Sequence, residues 1–322
     1  MKDPLEDIPG IGPKTAPKLR GIGIHSSEAL AMTPVQEIVS RTGIEYKDAV
    51  RMVEGAREAI SQTLSLGFVT AAEIWEKRKN KMRCTTGSRA LDSLLAGGIE
   101  TQAITELFGE YAVGKTQLCL SLCVRSQLKP EEGGLAGGVL YFDTEGTFSP
   151  ERIQQIAEGT GLDSKPILDG ITVSRAYTSD HQALLLDHAS KICEENKVKL
   201  VVVDSVITHF RSEYIGRESL SERQQRLNNY MHRLPRLAEL YNLAVVVTNQ
   251  AQADPQYFGQ PDRPAGGHVL GHACTHRVHI RRGGSKGPRR VARIIKSPYI
   301  PEGECVFQIS DRGIEDLNEK AG

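Results

Sequence analysis

The segment Gly109-Glu110-Tyr111-Ala112-Val113-Gly114-Lys115-Thr116-Gln117 limits the fold more than any other part of the chain. It satisfies G-x-x-x-x-G-K-[ST] at every fixed position. It also stands between a strand-like run, Ala103 to Phe108, and a helix-like run, Gln117 to Arg125. That context gives the motif physical meaning. Glycines let the backbone turn until consecutive amides converge, and the following helix offers its positive end to the same anion. A loop of this kind wraps a β-phosphate, with Lys115 reaching the β- and γ-oxygens and the Thr116 hydroxyl facing Mg²⁺. The expectation is an ATP site lined by Gly109 through Gln117 at the edge of a mostly parallel α/β sheet.

Two more apolar runs end in carboxylates. Leu200-Val201-Val202-Val203-Asp204 is nearly all β-branched, as in a parallel strand buried on both faces. Asp204 then falls at the strand's C-terminal edge and is expected to help Thr116 hold Mg²⁺. Val139-Leu140-Tyr141-Phe142-Asp143 ends similarly and continues into Thr144-Glu145-Gly146. Glu145 is the expected base that activates the attacking water, with Asp143 as the alternative. A third run, Ala244 to Thr248, leads into Asn249-Gln250, whose amides either sense a γ-phosphate or simply cap the strand.

The chain of 322 residues has room for a small extra domain beside this core. Residues 1–60 read as short helices broken by glycine turns, 61–80 as a linker, and 81–322 as the α/β ATPase core. Ile8-Pro9-Gly10-Ile11-Gly12-Pro13-Lys14-Thr15-Ala16 lays out an apolar residue, a Gly-x-Gly hairpin and a helix over Pro13–Arg20. This is the pattern of a helix-hairpin-helix, which grips a DNA backbone through amides without reading bases. Gly10, Gly12 and Lys14 are the expected contacts. Residues Thr42 to Ala49 form a degenerate second copy, read as structural. Leu66 to Ala71 reads as a short extended segment, and Glu73 to Lys81 as helix-prone.

Forty basic and 40 acidic residues cancel, so any nucleic-acid surface must be a local patch. From Arg263 through Pro301 there are nine Arg or Lys and no acid, an expected phosphate-binding field. It opens on a Gly/Pro-rich loop, Ala253 to Gly267, that includes Tyr257, Phe258 and Arg263. A second candidate DNA loop, Phe210 to Glu218, offers Arg211 and Arg217, with Arg223 just beyond, although Glu213, Glu218 and Glu222 stand among them. His268, His272 and His276 recur every fourth residue, but His276 and His279 sit in a strand-like stretch, which argues against a metal site. Six scattered cysteines read as buried free thiols. The apolar runs are too short to span a bilayer, and Met1 leads into charged and polar residues, so neither a membrane span nor a signal peptide is expected.

In this order the motifs resemble the RecA/RadA recombinases, in the archaeal RadA form, over essentially the whole length. The markers are the N-terminal hairpin, Gly109 through Gln117, Tyr141 through Phe148, Asp204-Ser205, Arg223-Gln224-Gln225, Val247 through Gln250, and Gly266-Gly267-His268. The resemblance implies a RecA-like P-loop fold whose ATP-loaded subunits form a helical filament, or a ring, and act on single- and double-stranded DNA. Recombination mediators are implied partners, and an archaeal cytoplasm, at the nucleoid, is the implied location. It implies catalysis by Glu145, Lys115 and Gln250, with Arg152 against the adenine and Gln250 coupling nucleotide to the second loop. His268 is implied to meet the γ-phosphate from a neighbouring subunit. Phe68 and Ala71 match a Phe-x-x-Ala plug that inserts into the next subunit.

One departure stands out. Where the family carries Asp-Ser-Pro and binds a monovalent cation beside ATP, this chain has Lys296-Ser297-Pro298. The Lys296 ammonium is expected to replace that cation, so that activity depends little on potassium; a surface-pointing lysine is the alternative. The same motifs leave two other activities open, a non-exchanging regulatory relative that only hydrolyses ATP on DNA, and a helicase built on the same fold.

Overall fold

Residues 5–60, 68–216, 218–252, 263–284 and 287–317 are described by a computed structural model of the chain. They fall into two compact units, Met1–Lys81 with Ala183–Glu195, and Met82–Gln182 with Asn196–Gly322.

The first unit is helical. Helices α1 (Ala16–Arg20), α2 (Ser27–Ala31), α3 (Val35–Thr42) and α4 (Tyr46–Ile60) close around one apolar core. In α4 the buried residues Ala49, Met52, Val53, Ala56 and Ile60 recur every three or four positions, which makes one face of the helix apolar. Gly43, at φ +67°, ends α3 in the left-handed conformation that glycine adopts without strain. The expected helix over Pro13–Arg20 is shorter. Pro17 has no N–H to return to Pro13, so the regular ladder starts at Ala16, after one turn in which the Ala16 amide donates to Gly12. Of the hairpin glycines only Gly10 is left-handed, at φ +92°, while a side chain at Gly12 would meet nothing. Gly12 therefore leaves open space above the turn.

Beyond this core, α5 (Ala71–Lys79) opens on a capping box between Thr70 and Glu73 and buries none of its residues. The extended segment expected over Leu66–Ala71 is corrected accordingly. Ala71 is helical because the Thr70 cap starts the helix there, and Leu66 and Gly67 lie outside the described residues. Phe68 is fully exposed.

In the second unit a small hairpin, β1 (Arg83–Cys84) with β2 (Ile99–Glu100), flanks α6 (Arg89–Leu94). Strands and helices then alternate: β3 (Ala103–Gly109), α7 (Lys115–Arg125), β4 (Gly138–Asp143), α8 (Pro150–Gly159), α9 (Ser164–Asp169), β5 (Ile171–Arg175) and α10 (Ser179–Glu195), of which Ala183–Glu195 belongs to the first unit. Next come β6 (Val198–Asp204), α11 (Thr208–Glu213), α12 (Leu220–Leu240), β7 (Ala244–Gln252), β8 (Arg263–Pro264) and α13 (Gly267–Ala273). Antiparallel strands β9 (His276–Arg282), β10 (Arg289–Lys296), β11 (Glu304–Ser310) and β12 (Gly313–Glu315) finish the chain, with β9 also pairing parallel to β3. The sheet runs β12-β11-β10-β9-β3-β7-β6-β4-β5, and β8 pairs with the end of β7.

Strands β3, β4, β6 and β7 are buried on both faces, which explains their unbroken apolar runs. Leu107, Tyr141, Val202 and Val246 pack on one side with Leu118, Leu122 and Ile153 from α7 and α8. The other side is crossed by α12, which lies against β3 and β7. The stretch expected as a loop over Phe210–Glu218 begins as α11, because Phe210 is apolar and buried and draws the first turn onto the core. Of the six free thiols five are buried. Among the described residues no helix is long and apolar enough to cross a membrane.

Candidate nucleotide site and nucleic-acid face

The sheet order brings four strand ends together. Register pairs Gly109 with Gln250 and Asp143 with Asp204, so the phosphate loop, both carboxylate strands and the Asn249-Gln250 amides share one edge. The loop after β3 reverses through Ala112 at φ +59° and Gly114 at φ +101°. Two glycines there are required, for different reasons. A Cβ on Gly109 would lie 2.1 Å from the Ile280 carbonyl oxygen, whereas Gly114 is needed for its positive φ. Within the loop the Lys115 ammonium donates to the carbonyls of Gly109, at 3.0 Å, and Glu110, at 2.8 Å. Burial pushes its pKa down, opposed by Asp204 and Glu145. Tyr111 points out of the loop, 94% exposed.

Asp204 is buried and receives three hydroxyl groups. Thr116 and Tyr141 donate to one oxygen, at 2.7 and 2.8 Å, and Thr248 donates to the other. Burial raises the carboxyl pKa, and the three hydrogen bonds oppose the rise without cancelling it. Thr116 and Asp204 thus meet directly beside the loop, as expected of a pair that shares a metal. Sequence reading missed Tyr141 and Thr248. Each lies on a correctly assigned strand, but only the register reveals that both converge on Asp204.

Glu145 is exposed and held by one oxygen, which accepts from Thr208 at 2.7 Å and from the Gln250 amide at 3.4 Å. The Gln250 carbonyl oxygen in turn accepts from Arg211, on α11, at 3.0 Å. Asp143 is committed elsewhere. Its oxygens accept the backbone N–H groups of Glu145, Gly146, Thr147 and Phe148, so it folds the turn that carries Glu145. Thr208 had no signal in the sequence beyond its place just past Asp204.

Arg152 binds Gln117, Gln155 and the carbonyls of Ser310 and Asp311, which places it beside the end of the phosphate-loop motif. His268, on α13, stacks on His272 with 6.0 Å between ring centres. The Lys296 ammonium donates to the carbonyls of Gly271, at 2.6 Å, His272 and Cys274, and so occupies the end of α13. Within the single chain neither His268 nor Lys296 bonds to the phosphate loop. His276 and His279 lie on β9, and among the described residues no three His, Cys, Asp or Glu side chains gather as a metal group would require.

The basic stretch needs correction. Its window contains no acid, but the fold brings acids to it. Glu302 and Glu304, just past the window, pair with Arg293 on β10 at 3.6 Å and with Arg281 on β9 at 3.3 Å. Fully buried Glu106 takes Arg277. Arg290 reaches the Val113 carbonyl at 2.8 Å. The free phosphate-binding field is accordingly smaller than a count of arginines implies. Arg223 stands half-buried on α12, Arg217 lies outside the described residues, and Arg263 pairs through its backbone with Gln252. Tyr257 and Phe258 also lie outside the described residues.

The chain is similar to known proteins over nearly its whole length. The family profile described as Rad51 matches residues 77–317, and that of a SAM-like helix-hairpin-helix tandem matches residues 2–58, spanning both hairpin segments. The chain is 46% identical over 318 residues to "DNA repair and recombination protein RadA" of Cenarchaeum symbiosum (strain A), covering 98% of this chain and 79% of that one. It is 48% identical over 317 residues to the protein of the same name from Aeropyrum pernix, covering 98% and 97%. By these matches over nearly its whole length, the chain belongs to the Rad51 family, in its RadA branch of DNA repair and recombination proteins.

Proposed function

We propose that this chain is a DNA-dependent ATPase that polymerises on single-stranded DNA, pairs it with homologous duplex and exchanges the strands. The carrying observation is the run of side-chain bonds from Glu145 through Gln250 to Arg211, which joins the candidate base to a candidate DNA contact. A DNA phosphate at Arg211 competes for the guanidinium that now holds Gln250, and the change is felt at Glu145 two bonds away.

Magnesium fits the donor set beside the loop, since the Thr116 hydroxyl and the Asp204 carboxylate are hard oxygen donors in mutual contact. Bound there with ATP, the ion offsets negative charge on the β- and γ-phosphates. Lys115 leaves the carbonyls of Gly109 and Glu110 to take phosphate oxygens. Glu145 orients a water in line with the γ-phosphorus and accepts its proton. Arg152, already against Gln117, flanks the base. Gly10, Gly12 and Lys14 face a DNA backbone from the helical unit.

Polymerisation rests on exposed groups. Phe68, ahead of α5, and Ala71, its first residue, stand in solvent, and β5 is the end strand of the sheet. Insertion of Phe68 into a neighbouring subunit buries an apolar side chain, and that side chain has no cover in the single chain. In the filament His268 and Lys296 serve the neighbouring subunit's phosphates, with the Lys296 ammonium in place of a monovalent cation.

The test is strand exchange between a labelled duplex and homologous single-stranded DNA with Mg-ATP. Homology-dependent exchange that disappears in Lys115→Ala is expected. DNA-stimulated ATP hydrolysis without exchange would overturn the reading in favour of a regulatory ATPase.

A further inference from the structure

We infer that Arg290 is a positioning residue for the phosphate loop, holding the Val113–Gly114 peptide so that its N–H faces the nucleotide phosphates. The inference rests on the reading of residues 109–116 as a phosphate site.

Arg290 lies on β10, in the antiparallel part of the sheet, and contributes no group to the strand edge where the carboxylates gather. Its Nε donates to the Val113 carbonyl at 2.8 Å, and its Nη1 donates to the carbonyls of Gly287 at 3.0 Å and Arg289 at 2.9 Å. One guanidinium therefore spans two loops. Its planar fork fixes both directions at once, which an ammonium on a flexible stem does not.

The consequence follows from peptide geometry. In a planar trans peptide the C=O and the N–H point opposite ways. A Val113 carbonyl drawn toward Arg290 aims the Gly114 N–H away from it, toward the open side of the loop. Gly114, at φ +101°, then turns the chain so that the Lys115 amide opens α7 on that same side. Successive N–H groups across such a reversal form an anion-binding concavity. Ile309, from β11, fills the space beneath Gly114, with Arg290 Nε 3.7 Å from the same point. The loop thus has an apolar floor and a cationic anchor, both from strands that the motif itself does not include.

A purely structural reading is that Arg290 only closes the β9–β10 turn through Gly287 and Arg289. The two readings separate by measurement on the full chain. Arg290→Met and Arg290→Lys are compared for affinity to a fluorescent Mg-ADP analogue, for KM and kcat of ATP hydrolysis, and for melting temperature. Arg290→Met is expected to weaken ADP and raise KM about ten-fold, the size of losing one charge-assisted hydrogen bond, with kcat within about two-fold. Arg290→Lys keeps a donor for Val113 and is expected to restore affinity to within about three-fold of wild type. Arg290→Gln, too short to reach Val113, serves where the methionine variant does not fold, with the same expected loss. Wild-type affinity in the methionine or glutamine variant, whatever its melting temperature, overturns the inference. Lys115→Ala run alongside distinguishes the failures. If it weakens ADP while Arg290→Met does not, only the positioning role falls. If neither weakens ADP, the phosphate-loop reading falls with it.

Discussion

Asp204 and Glu145 stand at the ends of neighbouring strands, and their surroundings are opposite. Asp204 is 2% exposed and is fixed by hydroxyl groups from a helix and two flanking strands. Glu145 is exposed on a turn, with contacts to one oxygen only. The contrast fits the roles proposed for the two carboxylates. A group that holds a metal gains from having one geometry, and burial enforces it. A group that must accept a proton and answer to DNA needs freedom to turn, and exposure leaves it that freedom. The regulated half of the site is accordingly the half that the fold binds least tightly.

The sharpest way to break this comparison is Glu145→Gln. ATP turnover is expected to fall about 10²- to 10³-fold, with nucleotide affinity within about three-fold and no change in melting temperature. Turnover that survives within about ten-fold, measured by steady-state phosphate release, would move the base elsewhere.

Asp204→Asn probes the other half, and its signature is the reverse. Mg-ATP affinity is expected to drop about 10- to 100-fold, while the nucleotide-free protein melts no lower than wild type. The sign follows from linkage. Burial raises the Asp204 pKa above its ordinary value of 3.8, so ionisation is disfavoured in the folded chain. Its favourable share of stability is complete below that value and is lost as pH climbs through the raised folded one. The variant should therefore out-melt wild type at pH 8, by a gap that narrows as pH falls through the raised folded value. Saturating Mg-ATP should invert the order. A variant that melts below wild type at pH 8 without nucleotide would mean that the three hydroxyl bonds outweigh burial.

The smallest expected effect is that of Thr208→Val, which removes one hydrogen bond from Glu145 at nearly constant volume. Turnover should fall about three- to ten-fold and stability by up to about 1 kcal/mol, since the same hydroxyl also shares a hydrogen bond with buried Ser205 at 3.0 Å. An unchanged kcat would show that Gln250 alone positions the carboxylate.

Much of this was legible in the sequence because it is local. The phosphate loop announces itself through glycine spacing, and β6 and β7 through β-branched runs that only two-sided burial explains. What escaped was set by partners distant along the chain. Nothing near Asp204 says that β7 lies between β3 and β6, so Thr248 could not be placed on its carboxylate. The acid-free window from Arg263 to Pro301 looked like an open cationic field because Glu302 and Glu304 lie a few residues outside it, and only the hairpin folds them back. Arg211 was placed in a loop because its charged neighbours dominate the pattern, yet one apolar side chain, Phe210, was enough to seat a helical turn. Most of the candidate residues were named in advance; their bonds to one another were not.

The polar link at the end of β7 has a consequence for how this protein can vary. Asn249 donates both to buried Glu106 and to the Ala265 carbonyl, and the Ala265 amide returns to Gln250. With Ala251 also opposite Pro264, the chain leaving β7 and the chain coming back are fastened side by side. Whatever lies between those fastenings can grow, shrink or be exchanged for another sequence while Gln250 keeps its place. Each doubling of such an insertion costs only about 0.6 kcal/mol in closure entropy. The length of that connection is thus decoupled from the strand end that carries Gln250.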